Sequence, residues 1–68
     1  MKVIVNGEAM DMNEHAVIAD AVYAVRGREA LRGVAVAVNG TVVPRSSWDE
    51  TGLSESDRVE ILTAVAGG

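Results

Sequence analysis

The stretch Arg58-Val59-Glu60-Ile61-Leu62-Thr63-Ala64-Val65 decides the fold of this chain. It is rich in β-branched residues, which is typical of a β-strand. A second run of this kind, Met1-Lys2-Val3-Ile4-Val5, opens the chain. Parallel strands at the centre of a sheet are rich in Val and Ile, as these two runs are. We therefore predict that the first and last strands lie side by side and parallel.

Two Asn-Gly pairs predict tight turns between strands. Asn6-Gly7 separates the first strand from a returning strand over residues 8–12, and Asn39-Gly40 separates a strand over 34–38 from a short strand over 41–43. Asn-Gly is the strongest short-range hairpin signal, because a type I′ turn needs positive φ at both central positions. The sequence therefore predicts two β-hairpins.

Residues 16–26 predict the main helix. Apolar side chains recur there at i, i+3, i+4 and i+7, which are Ile18, Ala21, Val22 and Val25. Asn13 is the candidate N-cap although it lies early, and Gly27 suits the helix end. The β-branched residues lower helix propensity, so we expect this helix to depend on packing against a sheet.

The order of elements is strand, strand, helix, strand, short strand, strand. One main helix packed on one face of a mixed sheet of four to five strands is an α+β arrangement. We identify it as the β-grasp, or ubiquitin-like, fold. We predict a β-grasp domain over residues 1–64 and a flexible C-terminal tail over residues 65–68, ending in Gly-Gly.

The size and composition of the chain limit its function. Sixty-eight residues leave little room for a deep pocket, which favours a module acted on by larger enzymes over an enzyme with catalytic residues of its own. The chain has no cysteine, which excludes thiolate metal sites and a cysteine nucleophile. The lone His15 has no second histidine nearby, so we expect no metal site.

Charge and hydropathy limit the partners. The net charge is −4 and no basic stripe is present, which disfavours nucleic-acid binding and favours a basic protein partner. No apolar run is long enough to cross a bilayer, and no signal peptide is recognisable. The lack of disulfides in so small a domain fits the cytoplasm, where we expect the protein to act.

The terminal Gly67-Gly68 follows the last strand closely. Glycine lacks a Cβ, so two glycines form a thin tether that fits a narrow channel and leaves the Gly68 carbonyl carbon unshielded. That suits a carboxylate which another enzyme activates. The alternative interpretation of the dipeptide alone is a frayed chain end, where glycine is common.

The whole chain resembles the bacterial family of thiamine-biosynthesis sulfur carriers (ThiS). Beyond the diglycine, the resemblance rests on a Val-Asn-Gly turn (5–7 and 38–40), Val-Pro-Arg-Ser-x-Trp (43–48) and the closing Asp-x-Val-Glu-Ile-Leu block (57–62). Three features depart from the family pattern. Val17 stands where such carriers often have Ser or Thr to cap the helix, Ser56 replaces a common glycine, and residues 26–33 are idiosyncratic.

The tail consists of Val65, Ala66, Gly67 and Gly68, and the resemblance implies a chemistry for it. An E1-like adenylyltransferase (ThiF-like) uses ATP to adenylate the Gly68 carboxylate. Sulfur from a persulfide donor then replaces AMP and leaves a thiocarboxylate on Gly68. A thiazole synthase (ThiG-like) takes that sulfur. The carrier itself holds no cofactor stably.

Strand alternation separates core from surface. Val3, Val5, Val59 and Ile61 are predicted to pack under the helix, and Trp48 is predicted to be a buried anchor. The opposite face of the sheet, which the helix leaves open, is predicted to carry an apolar docking surface for the activating enzyme beside the tail. This predicted surface consists of Ile4, Leu62 and Ala64. Arg45 is either a further partner contact or a solvated side chain.

Three alternatives remain open from the sequence. A carrier for molybdopterin, cysteine or tRNA thiolation would share the fold and the tail, so only the partner distinguishes it. A protein modifier would form isopeptide bonds through Gly68. A non-covalent β-grasp interaction module would keep its function after Gly68 is removed.

Overall fold

The computed structural model describes residues 1–28 and 32–63. Within them the chain forms five β-strands, one α-helix and a 3₁₀ turn. The elements are β1 (Lys2–Val5), β2 (Glu8–Asp11), α1 (Ile18–Arg26), β3 (Val34–Val38), β4 (Thr41–Val43), the 3₁₀ turn Arg45–Ser47 and β5 (Arg58–Thr63). The predicted order of elements is therefore confirmed.

The strands form one mixed sheet in the order β2-β1-β5-β3-β4. Strands β1 and β5 are parallel neighbours, with Ile4 opposite Arg58 and Val5 opposite Val59. The other three pairings are antiparallel. This confirms the β-grasp arrangement and the parallel pairing of the first and last strands. Strand β5 takes the central position: β1 pairs with its first two residues, and β3 pairs with it from Val59 to Thr63.

Alternate residues of the central strands form the core against α1. Val3, Val5, Val59 and Ile61 are all at most 5% exposed, which confirms the predicted strand faces. They belong to one cluster with helix residues such as Ile18 and with Val36 of β3. Burial of these aliphatic side chains is the main stabilising contribution in so small a domain.

Replacing Ile61 by Ala is expected to lower the free energy of unfolding by about 1–4 kcal/mol, because it removes buried methyl groups and leaves a cavity. Chemical denaturation followed by circular dichroism measures this change. Leu62→Ala is the matched control, since Leu62 is the next residue of β5 and is 64% exposed. An equal loss of stability in both variants would show that the strand faces are wrongly assigned.

Helix α1 begins at Ile18, two residues later than predicted, and Asn13 is not its cap. The N-cap is Val17, whose side chain makes no capping hydrogen bond. The Val17 amide donates to Asp20 Oδ2 at 2.8 Å, and the Ile18 amide donates to the Thr51 carbonyl oxygen at 3.0 Å. Main-chain carbonyls of the loop before β5 therefore satisfy amides at the helix start. That explains how valine is tolerated where Ser or Thr is common.

The buried side of α1 differs slightly from the predicted stripe. Ile18, Ala21 and Val22 are buried as predicted, but Val25 is 40% exposed and Ala19 is buried instead. All buried helix residues therefore lie in the first five positions. The helix packs on the sheet through its N-terminal half. Its last turn projects towards solvent and ends at Gly27, as predicted, with φ +76°.

Both Asn-Gly pairs adopt the predicted backbone. Asn6 and Asn39 each have φ +50°, and Gly7 and Gly40 each have φ +85°. Positive φ at both central positions is the requirement of a type I′ turn.

Ser56, which replaces a common glycine of the family, also has positive φ, at +68°. Its amide donates to the Lys2 carbonyl oxygen at 2.7 Å, which holds this conformation against β1. The left-handed region is unfavourable for a residue with a Cβ. A glycine would adopt this backbone without that steric cost.

Candidate functional site

The open face of the sheet, opposite α1, is the surface from which β5 continues towards the C-terminus. Along β5, Arg58, Glu60 and Leu62 are exposed, while Val59 and Ile61 between them are buried. Leu62 is 64% exposed, an unusual state for a leucine near the centre of a sheet. The described part of the chain ends one residue after Leu62, at Thr63.

The structure places two of the predicted docking residues on this open face. Ile4 is part-buried on β1, and Leu62 is exposed on β5, in the strand beside it. Arg45 is exposed, but it lies in the 3₁₀ turn that follows the edge strand β4. No pairing or hydrogen bond among the described residues connects Arg45 with Ile4 or Leu62, so it is a separate position on the surface. Ala64 lies outside the described residues.

Three further apolar residues extend this surface. Ala35 lies opposite Leu62, and Ala37 lies opposite both Glu60 and Val42. Val42 is 71% exposed, and Ala35 is exposed as well. We call the set Ile4, Ala35, Ala37, Val42 and Leu62 the open-face patch. Valine and alanine alternate along β3, so the alanines face away from the valines. This pattern in the sequence is the signal by which Ala35 and Ala37 could have been identified.

A shallow cleft of about 470 Å³ lies on the same face, at the turn between β1 and β2. Its lining residues come from the end of β1, the turn and β5: Ile4, Asn6, Gly7, Arg58, Val59 and Glu60. The cleft combines one apolar wall with one basic and one acidic side chain.

Charged groups surround the open-face patch. Lys2 Nζ lies 2.8 Å from Asp11 Oδ1, across the β1–β2 ladder. The hydrogen bond from Lys2, and then its positive charge, lower the pKa of Asp11; the same contact raises the pKa of Lys2. Both side chains are fully exposed, so this ion pair adds little to stability. Arg58 and Glu60 lie on β5 between Ile4 and Leu62, so charged and apolar side chains alternate along the open face.

The predicted tail lies outside the described residues. Val65, Ala66, Gly67 and Gly68 belong to the undescribed segment, as does the predicted domain boundary at residue 64. The structure does describe the strand that leads into this segment. Strand β5 extends to Thr63, opposite Val34 of β3.

Two kinds of site are not found in the part of the chain that the structure describes. No group of three or more His, Asp or Glu side chains is arranged to hold a metal ion. Across residues 1–28 and 32–63, no helix has the length and hydropathy of a membrane-spanning segment.

Comparisons with known proteins agree with the architecture. The sequence model of the ThiS family matches residues 3–68. The crystal structure of a thiamine biosynthesis protein (ThiS) from Geobacter metallireducens has a TM-score of 0.79 and 30% identity, with 100% of both chains covered. The solution NMR structure of a thiamine biosynthesis protein from the same organism has a TM-score of 0.76 and 31% identity, covering 100% of this chain and 88% of that one. No curated protein sequence matches this chain.

Proposed function

The chain belongs to the ThiS family, and on this premise we propose that it carries sulfur, as a thiocarboxylate on Gly68, for the thiazole moiety of thiamine. The observation that supports this proposal is the family match over residues 3–68, which includes the terminal Gly67-Gly68. A ThiS-type protein is a small carrier and not a catalyst. The catalytic groups therefore belong to the enzymes that act on it.

The first step activates the Gly68 carboxylate. A carboxylate is a poor electrophile, because its negative charge is shared between two oxygens. One carboxylate oxygen attacks the α-phosphorus of ATP on an E1-like adenylyltransferase, and pyrophosphate leaves. The product is a mixed anhydride between Gly68 and AMP, whose carbonyl carbon is open to attack because glycine has no side chain.

The second step introduces sulfur. The terminal sulfur of a persulfide donor attacks the Gly68 carbonyl carbon, and AMP leaves. A thiol then cleaves the resulting sulfur–sulfur bond, which leaves a thiocarboxylate on Gly68 and a disulfide on the donor side. The chain has no cysteine, so the nucleophilic sulfur must come from a partner. A thiazole synthase consumes the sulfur and regenerates the carboxylate.

The open-face patch is the proposed docking surface for the adenylyltransferase. Leu62 is exposed on β5, which leads directly to the tail, and Ile4 lies on the same face opposite Arg58, four residues earlier along β5. A surface continuous with the reacting segment lets docking and delivery of the carboxylate occur together. Ala64, which lies outside the described residues, and Arg45, at a separate position on the surface, are proposed as further contacts.

Leu62→Asp is expected to raise the KM for adenylation about tenfold or more, because an apolar contact at the centre of an interface is replaced by a charge that must be desolvated. Pyrophosphate release measures the rate. Val25→Asp is the matched control, since Val25 is an exposed valine on α1, on the other layer of the domain. An unchanged KM for a folded Leu62→Asp variant would exclude docking at this patch.

The pathway is tested by following sulfur to its product. The chain is incubated with its E1-like adenylyltransferase, ATP, a radioactive persulfide donor and thiazole synthase with its other substrates. We expect the label in the thiazole, dependent on this chain. Loading of Gly68 with transfer of the label to tRNA, cysteine or a pterin would keep the carrier role and reject thiamine as the pathway.

A further inference from the structure

Asn6 makes a two-point contact with the main chain of β5. The Ile61 amide donates to Asn6 Oδ1 at 2.8 Å, and Asn6 Nδ2 donates to the Ile61 carbonyl oxygen at 3.2 Å. Strand β1 ends at Val5, and the Asn6 amide still donates to the Val59 carbonyl oxygen at 2.9 Å. The side chain of Asn6 therefore continues the β1 edge past its last residue and pairs with β5 two residues further along. We call this contact the Asn6 clamp.

The turn alone does not explain why residue 6 is asparagine. A type I′ turn accepts Asn, Asp or Gly at this position. The clamp needs a donor atom and a separate acceptor atom on one short side chain, and of the three residues that suit this turn position only asparagine supplies both. An ionised aspartate has no donor for the Ile61 carbonyl oxygen, and glycine has no side chain.

Asn39 is a natural comparison, because it occupies the same position of the other Asn-Gly turn with the same φ of +50°. Its Oδ1 accepts from the Arg58 amide at 3.0 Å, and its Nδ2 donates to Asp57 Oδ1 at 3.0 Å. It therefore contacts the first residue of β5, from the side of β3. Asn6 contacts β5 near its other end, from the side of β1.

We propose that Asn6 is a positioning residue for the Gly68 carboxylate, an inference that rests on the proposed carrier function. The clamp holds β5 at Ile61, the residue before Leu62 of the open-face patch. Together with the pairing of β3 through Thr63, it fixes the point from which the last residues extend, relative to the surface that docks. Five residues follow Thr63 and reach roughly 17 Å when extended.

The clamp affects chemistry more than docking. A misplacement of reacting groups by about 1 Å can reduce a rate about a hundredfold. Without the clamp, residues 61–63 of β5 are held from the β3 side alone, which keeps Leu62 opposite Ala35 but lets the strand next to the tail move more freely. The kcat of adenylation should therefore fall while its KM stays nearly constant.

Asn6→Gly and Asn39→Gly are the decisive pair of variants, because each keeps a turn-compatible residue and removes only the side chain. For Asn6→Gly we expect hydrogen exchange of the Ile61 amide about tenfold faster, as two hydrogen bonds are lost. We also expect a kcat for adenylation lower by about tenfold. For Asn39→Gly we expect a kcat within about twofold of the original chain. Unfolding midpoints of both variants measure their general destabilisation.

The outcomes separate this proposal from the proposed function. If the unaltered chain is not adenylated, the carrier function fails and the positioning role fails with it. If the unaltered chain is adenylated and the two glycine variants have equal kcat, only the positioning role is rejected. If Asn6→Gly does not fold, Asn6→Asp keeps the acceptor for the Ile61 amide and loses only the donor; an unchanged kcat in that variant also rejects the proposal.

Discussion

Removal of Gly68 is expected to reduce adenylation of the chain at least a hundredfold while leaving its unfolding transition unchanged. The carboxylate then belongs to Gly67 and lies about 3.5 Å, one residue, short of its normal position. Reaction with ATP requires an attacking oxygen about 3–3.5 Å from the phosphorus, so a displacement of this size removes the productive geometry. ATP–pyrophosphate exchange measures the loss.

Ala66→Gly is the control for this truncation. It changes the tail composition but keeps the distance from Thr63 to the terminal carboxylate, so adenylation should stay within about tenfold of the original rate. Full adenylation of the truncated chain would contradict a role for Gly68 as the loaded residue. It would show that the adenylyltransferase also accepts a carboxylate one residue nearer to the domain.

Trp48→Ala is expected to leave the domain largely unfolded at room temperature. Trp48 is only 3% exposed, and its Nε1 donates to the Val43 carbonyl oxygen at 3.0 Å. Its own carbonyl oxygen accepts from the Ala19 amide at 3.1 Å, so the residue joins the loop to both the sheet and the helix. Truncation of a buried tryptophan costs about 3–5 kcal/mol. A core of this size rarely supplies more than about 3–5 kcal/mol in total.

Far-ultraviolet circular dichroism measures this effect, because the variant has no tryptophan left for fluorescence. Trp48→Phe is the companion variant. It keeps most of the apolar volume and loses the hydrogen bond to Val43, so we expect a smaller destabilisation of about 1–3 kcal/mol. A cooperative unfolding transition of Trp48→Ala with an unchanged midpoint would show that Trp48 is not an anchor.

The sequence predicted those features of the fold that depend on local pattern. The two-residue period of β5 placed Val59 and Ile61 in the core and Leu62 on the open face. The Asn-Gly pairs predicted both hairpin turns, because few residues tolerate positive φ. The Val and Ile content of the first and last strands predicted their parallel contact at the sheet centre.

Features that depend on distant partners were not predicted. The start of α1 is fixed by a hydrogen bond from the Ile18 amide to the Thr51 carbonyl oxygen, so a search for a local cap selected Asn13 wrongly. The Asn6 clamp connects residues 55 positions apart, and the turn pattern gave no reason to look for it. Packing of the N-terminal half of α1 on the sheet, which leaves Val25 exposed, is likewise a tertiary effect.

For the same reason, only part of the candidate site was predicted. Alternation placed Ile4 and Leu62 on one face and separated the alanines of β3 from its valines, but the strand order was needed to show that Ala35 and Val42 lie on the same face as Leu62. The proposal for the C-terminal carboxylate rests on the sequence and not on geometry, since Gly68 lies outside the described residues. The chemistry proposed for Gly68 is an expectation from the resemblance to ThiS carriers, and the family match over residues 3–68 supports it.

The most direct test of the central claim is mass analysis of the chain after incubation with its E1-like adenylyltransferase, ATP and a persulfide donor. The product is alkylated and fragmented, because exchange of oxygen for sulfur adds nearly the same mass as oxidation of one of the three methionines. We predict an alkylated thiocarboxylate localised to Gly68. An active adenylyltransferase that leaves Gly68 unmodified, or that joins Gly68 to lysines of other proteins, would contradict the sulfur-carrier account.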